Sequence, residues 1–247
     1  MSLEARDISF SYVPGRPILH DVNLVVDPGE RVALTAPSGR GKTTLCRVLS
    51  GYLRPDAGTV LVDGVELSRA RAARSGVPAV RTRSARAARD GVPAASGSRG
   101  SRLRGPRPVQ LIWQHPEQAF DPLMRMGRSL DEAARPYAAR GPAARAAARA
   151  AGLLGRFGIR DAWLERFPHE LSGGELMRFC IVRALLAEPR YLVCDEMTAM
   201  LDAVTQAEIW HEVLSIAGER DMGLVLVSHS PALVERLATR TFGLGER

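Results

Sequence analysis

The chain has 247 residues, of which 45% are hydrophobic, 25% are charged and 5% are aromatic, as in an ordinary globular protein with one large or two small domains. No apolar run approaches the roughly 18 residues that span a bilayer, and the N-terminus lacks a basic stretch followed by an apolar one, which argues against a membrane span and a secretory signal. The formal net charge is +7, yet residues 68–107 alone carry 11 arginines and one acid, or +10, so the rest of the chain is near −3. A nucleic-acid-binding function would therefore depend on that one segment.

Short apolar or alternating runs separated by turn residues predict four strands before residue 68. These runs are ISFSYV (8–13), VNLVVD (22–27), RVALTA (31–36) and TVLVDG (59–64). The segment KTTLCRVLSG, starting at Lys42, predicts a helix that ends at Gly51, with Pro55 shortly after it.

Residues 68–107 show no apolar periodicity and are dense in Gly, Pro, Ser, Ala and Arg. Such a segment buries too little apolar surface to offset the entropy of ordering it, so we expect a disordered insert. A solvated loop without a specific role is one interpretation, and a contact with anionic lipid headgroups or nucleic acid is the other.

The second half of the chain alternates helix and strand patterns. Residues 124–187 are mostly helical by pattern, whereas strands are predicted at VQLIWQ (109–114), YLVCDE (191–196), GLVLVS (223–228) and RTFGLG (240–245), with helices near 203–217 and 231–238. Strand, helix and strand in succession predict an α/β fold with a parallel sheet and covering helices, interrupted by a helical block.

A glycine-rich loop joins the strand RVALTA to the next helix, and it matches the phosphate-binding pattern GxxxxGK[ST] except that Ala36 replaces the first glycine. Lys42 is the only lysine beside 33 arginines, and a compact ammonium fits between the β- and γ-oxygens of a nucleotide better than a guanidinium. If the loop needs a positive φ at Ala36, the cost is about 1 kcal/mol. The predicted nucleotide-binding residues of this loop are Pro37, Ser38, Gly39, Arg40, Gly41, Lys42, Thr43 and Thr44.

An apolar strand ends in two adjacent acids at YLVCDE. Asp195 is a candidate ligand for Mg²⁺ together with Thr43 on the phosphate loop. Glu196 is the candidate base that polarises the water attacking the γ-phosphate.

The segment LSGGELMR places Ser172 as the N-cap of a helix, with Gly173 and Gly174 at its first turn, where backbone N–H groups can approach a phosphate. LSGG between a phosphate loop and a DE strand resembles the ATP-binding cassette (ABC) family. The resemblance implies a P-loop NTPase fold with a mixed or parallel core sheet, an antiparallel β subdomain and an inserted helical subdomain. It implies one domain over 1–247, with a nucleotide-binding core (1–67, 108–114 and 188–247), the disordered insert (68–107) and the helical subdomain (115–187).

The same resemblance implies ATP and Mg²⁺ as cofactors and a second cassette subunit, paired head to tail so that each signature helix closes over the partner's ATP. Tyr12 would stack on adenine, and Gln114 would contact Mg²⁺ and the attacking water. Asp202 would lie across the dimer interface, and His229 would hold the γ-phosphate. Glu196, His229, Gln114 and Lys42 are thus the expected catalytic residues.

Two stretches, QHPEQAFDPLMRMG and RFPHELSGGE, resemble the ATPases of peptide, opine-metallophore and nickel importers. Asp121 stands where that branch has Asn, Met197 replaces the usual proline, and a tail beginning near His-Pro-Tyr is lacking. The resemblance of the two stretches nevertheless implies an importer ATPase on the cytoplasmic face of the membrane, with separate permeases and an extracytoplasmic substrate-binding protein.

Two alternatives remain open. A soluble ABC ATPase could act on nucleic acid or ribosomes through the arginine-rich segment, although the single cassette and the lack of heptads argue against it. A degraded, non-hydrolysing cassette could pair with an active one, and Ala36 is the feature that favours this.

Overall fold

The computed structural model describes residues 1–67, 107–138 and 152–245. The expected disordered insert therefore lies outside the described residues, apart from Arg107, as does most of the alanine-rich stretch near residue 145. The strands are β1 (Leu3–Val13), β2 (Arg16–Val26), β3 (Arg31–Thr35), β4 (Ala57–Val62), β5 (Val65–Glu66), β6 (Val109–Ile112), β7 (Tyr191–Asp195), β8 (Gly223–Val227) and β9 (Arg240–Gly243). The helices are α1 (Lys42–Leu49), α2 (Met126–Ala138), α3 (described over 152–156), α4 (Asp161–Leu164), α5 (Gly173–Leu186), α6 (Ala203–Glu219) and α7 (Pro231–Leu237).

Two sheets organise the described chain. Four antiparallel strands pair in the order β2-β1-β4-β5, and five parallel strands pair in the order β6-β7-β8-β3-β9. The predicted α/β class with a parallel core sheet is confirmed, and so is the separate antiparallel β unit. Strands β1 and β2 run longer than their apolar runs because they form a bulged hairpin whose register shifts at several points.

The parallel sheet is buried on both faces, as its nearly continuous apolar strands require. On β7, Tyr191 and Val193 pack toward α1 and the antiparallel sheet, whereas Leu192 and Cys194 pack toward α5 and α6. Alternate residues of β8 divide in the same way. This two-sided core holds the strand ends in place, and the functional side chains lie just beyond them.

Four strands of this sheet end at the same edge, since parallel strands share one direction. The phosphate loop follows β3, Gln114 lies two residues past β6, Glu196 directly follows β7, and His229 lies two residues past β8. Residues far apart in sequence are therefore brought to one edge by topology alone.

Candidate functional site

The phosphate loop turns sharply before α1 through two glycines in the left-handed region. Gly39 has a φ of 78° and Gly41 a φ of 95°, a conformation that residues with a Cβ rarely adopt. A Cβ on Gly41 would also lie 2.8 Å from Cδ2 of Leu19. Gly41 is the N-cap of α1, and no side chain caps the helix there, so its first N–H groups can bind an anion such as a phosphate.

Lys42 is buried, with only 7% of its surface exposed. Its side chain folds back across the loop that precedes it. Its Nζ donates hydrogen bonds to the carbonyl oxygens of Ala36 at 2.7 Å and Pro37 at 3.2 Å. The ammonium is thus held at the centre of the loop, where a phosphate bound by the loop's N–H groups would meet it.

The strain expected at Ala36 is not found. Ala36 is absent from the residues of positive φ, so its Cβ costs the backbone nothing there. Its carbonyl instead accepts a hydrogen bond from Lys42. The replacement of glycine by alanine therefore does not distort the loop.

Thr43 and Asp195 bring two oxygen ligands together beside the loop. The Thr43 hydroxyl donates to Oδ1 of Asp195 at 3.3 Å, and Asp195 is only 4% exposed. Burial raises the pKa of Asp195, and the hydrogen bond from Thr43 opposes that rise. Hard oxygen donors of this kind suit Mg²⁺, which keeps several waters and binds through one or two protein groups, so the predicted pair fits the ion.

Glu196 connects the ends of three strands. Its Oε2 accepts a hydrogen bond from Nε2 of Gln114 at 2.9 Å, and its Oε1 lies 2.8 Å from Nε2 of His229. Its own φ is 50°, which turns the side chain out of the line of β7. Three of the four predicted catalytic residues thus contact one another through the carboxylate of Glu196.

Tyr12 lies close to the first turn of α1. Its ring is 49% exposed and packs edge to face on Phe10, with the centroids 4.9 Å apart. Its hydroxyl is 3.3 Å from Oγ1 of Thr44, which is buried. An exposed aromatic face therefore lies beside the phosphate loop. Among the other predicted loop residues, Pro37, Ser38, Gly39 and Arg40 are exposed.

The segment Ser172–Gly174, which we call the serine-glycine cap, opens helix α5. The Ser172 hydroxyl accepts from the N–H of Glu175 at 3.3 Å, and the Glu175 carboxylate accepts from the N–H of Ser172 at 2.8 Å, which forms a capping box. A Cβ on Gly173 would meet no atom of the described residues within 4 Å. Ser172 and Gly173 are exposed, so the backbone of this part of the cap is open to a ligand.

Asp202 caps helix α6 close to this segment. Its Oδ1 accepts from the N–H groups of Thr205 at 3.0 Å and Val204 at 3.1 Å, and the bond from Thr205 is the main cause of its lowered pKa. Side-chain atoms of Thr205 would lie 3.5 Å from a Cβ on Gly174, so the starts of α5 and α6 are adjacent. In the described part of the chain, no hydrogen bond or ion pair joins the cap or Asp202 to the phosphate loop.

Sequence reasoning missed the surroundings of Gln114. The ring of Trp113 lies under the guanidinium of Arg47, 5.3 Å from its central carbon, and meets the edge of Tyr52 at 5.0 Å. The only signal in the sequence was a tryptophan directly before the glutamine.

The comparisons with known proteins agree with this geometry. The family sequence model described as ABC transporter matches residues 19–199. A nickel import ATP-binding protein of Rhodospirillum rubrum is 32% identical over 94% of this chain and 74% of its own length. A putative peptide import ATP-binding protein of Brucella abortus is 32% identical over 90% of this chain and 61% of its own length.

A solved structure of a dimeric ATP-binding cassette in a post-hydrolysis state, bound to ADP and Pi, superposes with a TM-score of 0.73. The two chains are 22% identical, and the superposition covers 98% of this chain and 94% of the solved one. A similarity of this kind shows the fold. Within the residues that the structure describes, no helix is both long and apolar enough to cross a membrane.

Proposed function

Because this chain belongs to the ABC transporter family and is the ATP-hydrolysing subunit of an importer, we propose that it powers uptake of nickel, a metallophore or a peptide through separate permease subunits. The observation that carries the proposal is the carboxylate of Glu196, held between Gln114 and His229 at the sheet edge that bears the phosphate loop. This edge carries a lysine for the phosphates, a carboxylate to act as base and oxygen ligands for Mg²⁺, which are the residue types that ATP hydrolysis needs.

ATP binds with its phosphates in the loop and its adenine on the exposed ring of Tyr12. The loop N–H groups and the start of α1 receive the β-phosphate. Lys42 exchanges its two carbonyl partners for phosphate oxygens, because the negative charge of a phosphate attracts the ammonium more strongly than a neutral carbonyl oxygen does. The buried ammonium is already positioned for that exchange.

Hydrolysis is the attack of a water on the γ-phosphorus. Glu196 takes the water's proton, the bond from the γ-phosphorus to the bridging oxygen breaks, and ADP leaves with the electron pair. His229 turns its Nε2–H from Glu196 to a γ-phosphate oxygen, which frees one carboxylate oxygen to accept from the water. Gln114 orients the same water from the other side.

Thr43, Asp195 and Gln114 are the residues that would hold Mg²⁺, which neutralises charge on the β- and γ-oxygens. The buried setting of Asp195 favours this role, because an ion bound there compensates for the loss of solvation that raises the carboxyl's pKa.

The serine-glycine cap of a second copy of the chain completes the site. Ser172 and Gly173 of the cap are exposed, and among the described residues no bond joins the cap to the phosphate loop, although its N–H groups suit a phosphate. The similar cassette that was solved as a dimer with ADP and Pi supports this pairing. ATP between the two copies would draw them together, and hydrolysis would release them.

The substrate class is supported by the two stretches that resemble peptide and nickel importers and by the names of the similar proteins. The degraded-cassette hypothesis is not favoured, since Ala36 has no positive φ and Gln114 is hydrogen-bonded to Glu196. The subunit would sit on the cytoplasmic face of the membrane, attached through permeases that receive substrate from an extracytoplasmic binding protein.

Proteoliposomes that carry the chain with the permease subunits and binding protein encoded beside it test the proposal. We expect ATP-driven uptake of labelled nickel, a nickel–metallophore complex or a short peptide, and no uptake with Glu196→Gln. Hydrolysis that none of these substrates stimulates would overturn the substrate class. Salt-dependent RNA binding that disappears on deletion of residues 70–105 would favour the nucleic-acid hypothesis instead.

A further inference from the structure

We propose that Arg47 and Trp113 are positioning residues for Gln114, and that they set the rate of ATP hydrolysis rather than the affinity for ATP. The inference rests on the proposed role of Gln114 beside Glu196. It concerns residues that act through the direction in which Gln114 points.

Four side chains form a stack along one side of β6, which we call the cation–aromatic stack (Arg47, Trp113, Tyr52 and Arg107). The guanidinium carbon of Arg47 lies 5.3 Å from the ring centroid of Trp113. The rings of Trp113 and Tyr52 meet edge to face at 5.0 Å and 74°. The guanidinium carbon of Arg107 lies 4.8 Å from the ring centroid of Tyr52. Cations over aromatic faces at these distances attract the rings, and the edge-to-face pair adds to that.

The stack connects α1 to both ends of β6. Arg47 lies in the last turn of α1 and Tyr52 just beyond it, whereas Arg107 precedes β6 and Trp113 directly follows it. Arg107 also donates to the carbonyl oxygen of Ser50 at 3.3 Å. The helix that begins with the phosphate loop is therefore attached to the strand that ends at Gln114.

Hydrogen bonding does not explain the position of Arg47. Its Nε is buried and makes no hydrogen bond within the described part of the chain. A buried polar atom without a partner is costly, so the side chain must gain elsewhere what it loses there. Its contact with the face of Trp113 contributes to that gain, as does the attraction between its charge and the carboxylate of Asp195, which opposes the rise that burial causes in the Asp195 pKa.

Trp113 transmits this restraint to the catalytic group. It packs against both apolar clusters of the core, and Gln114 is the next residue. The Gln114 amide reaches Oε2 of Glu196 at 2.9 Å, a contact that depends on the backbone direction after Trp113. Because the phosphates bind through the loop and Lys42, and Thr43 and Asp195 remain to hold Mg²⁺, a loosened Gln114 should lower kcat far more than it changes KM for MgATP.

The first measurement is steady-state ATP hydrolysis by the full chain with Arg47→Met. We expect kcat to fall roughly three- to tenfold, the range of one partly buried cation–π contact, with KM unchanged within about twofold. Arg47→Lys keeps a cation near the ring and should recover most of the loss. Arg160→Met is the matched control, because Arg160 lies 5.5 Å over Trp163 in a contact of the same kind away from the site, and it should leave kcat unchanged.

A double-mutant cycle tests whether Arg47 acts through Gln114. If it does, Arg47→Met should cost little or nothing further in a Gln114→Ala background. An equal fold-loss in both backgrounds, or an Arg47→Met enzyme with the kcat of the unchanged chain, would overturn the inference. Should Arg47→Met fail to fold, Tyr52→Leu removes the ring edge against Trp113 from a side chain that is 40% exposed, and the same cycle applies.

The same cycle separates this inference from the proposed function. If Gln114→Ala leaves kcat unchanged, the role proposed for Gln114 is wrong and the inference falls with it. If Gln114→Ala lowers kcat and Arg47→Met does not, only the inference is overturned.

Discussion

The phosphate-loop region and the serine-glycine cap differ in what completes them. The first gathers side chains from the ends of four strands, and its members contact one another, as Thr43 with Asp195 and Gln114 with Glu196. The cap is one continuous segment whose hydrogen bonds stay within its own helix start. One region is assembled by the tertiary fold, and the other is a local motif.

Burial shows the same contrast. Lys42 and Asp195 are almost fully buried although both can carry charge, and Asp195 has a raised pKa as a consequence. Ser172 and Asp202, by contrast, are exposed and already satisfied as helix N-caps. Buried charge without a full set of partners indicates a site that a ligand neutralises. An exposed motif with free backbone N–H groups indicates a surface that binds a ligand held by another molecule.

The largest effect is expected for Glu196→Gln, because an amide cannot take the proton from the attacking water. We expect kcat to fall by about 10² or more, the usual contribution of a general base, while MgATP still binds. A phosphate-release assay and equilibrium binding measure the two quantities. Glu117→Gln, on an exposed surface residue, is the control, and an unchanged kcat for Glu196→Gln would remove the catalytic assignment.

Lys42→Met should weaken ATP binding by roughly 10- to 100-fold, since it removes a charge-assisted contact of about 1.5–3 kcal/mol. Isothermal titration with ATP is the measurement. Lys42→Arg should recover only part of the loss, because a planar guanidinium fits the space between the Ala36 and Pro37 carbonyls poorly. Full recovery by arginine would contradict the argument from size.

Ser172→Ala separates the two regions. Loss of the cap's hydrogen bond should lower the free energy of unfolding by about 1 kcal/mol, seen in urea denaturation. ATP binding by a single chain should stay the same, because the cap lies apart from its own phosphate loop, whereas hydrolysis should fall. A change in single-chain ATP affinity would mean that the cap serves the site of its own chain.

The smallest effect is expected for the pH dependence of Asp202, the N-cap of α6. The N–H of Thr205 holds the pKa of Asp202 below its usual value. The cap therefore stabilises the folded chain above the pKa that Asp202 has in the unfolded chain, and this stabilisation is lost as the pH falls through its pKa in the folded chain. Asn caps helices as well but does not titrate. The unfolding free energies of the unchanged chain and Asp202→Asn should therefore diverge as the pH is lowered into the acid range, with the unchanged chain losing more. A pH-independent difference would contradict the capping role.

Motifs that act through their local backbone were predictable from the sequence. Gly41 before Lys42, and Ser172 before Glu175, need only neighbouring residues to form a loop and a capping box. Gln114 and His229 lie just past strand ends, but their place in the site was expected from the resemblance to the ABC family. The loop, the helix cap and the two acids at the end of β7 were predicted from pattern and spacing alone.

Other features depended on tertiary packing and were not predictable. The φ of Ala36 depends on the path of the loop into α1, which the sequence does not show. The positive φ that would have made alanine costly there is not found. The stack of Arg47, Tyr52 and Trp113 joins positions up to 66 residues apart that share no spacing rule. The two contacts of the Glu196 carboxylate required coordinates, since sequence does not show which side chains its two oxygens face.

Sedimentation velocity with Glu196→Gln at saturating MgATP tests most directly whether one chain's cap completes the other's site. The account predicts a dimer with MgATP, a monomer without it, and a monomer with MgATP once Gly173→Glu is added, since a Cβ at Gly173 meets no atom of the described residues of its own chain within 4 Å but the side chain would face the partner's phosphates. A protein that binds MgATP and stays monomeric, or a dimer that tolerates Gly173→Glu, would contradict it.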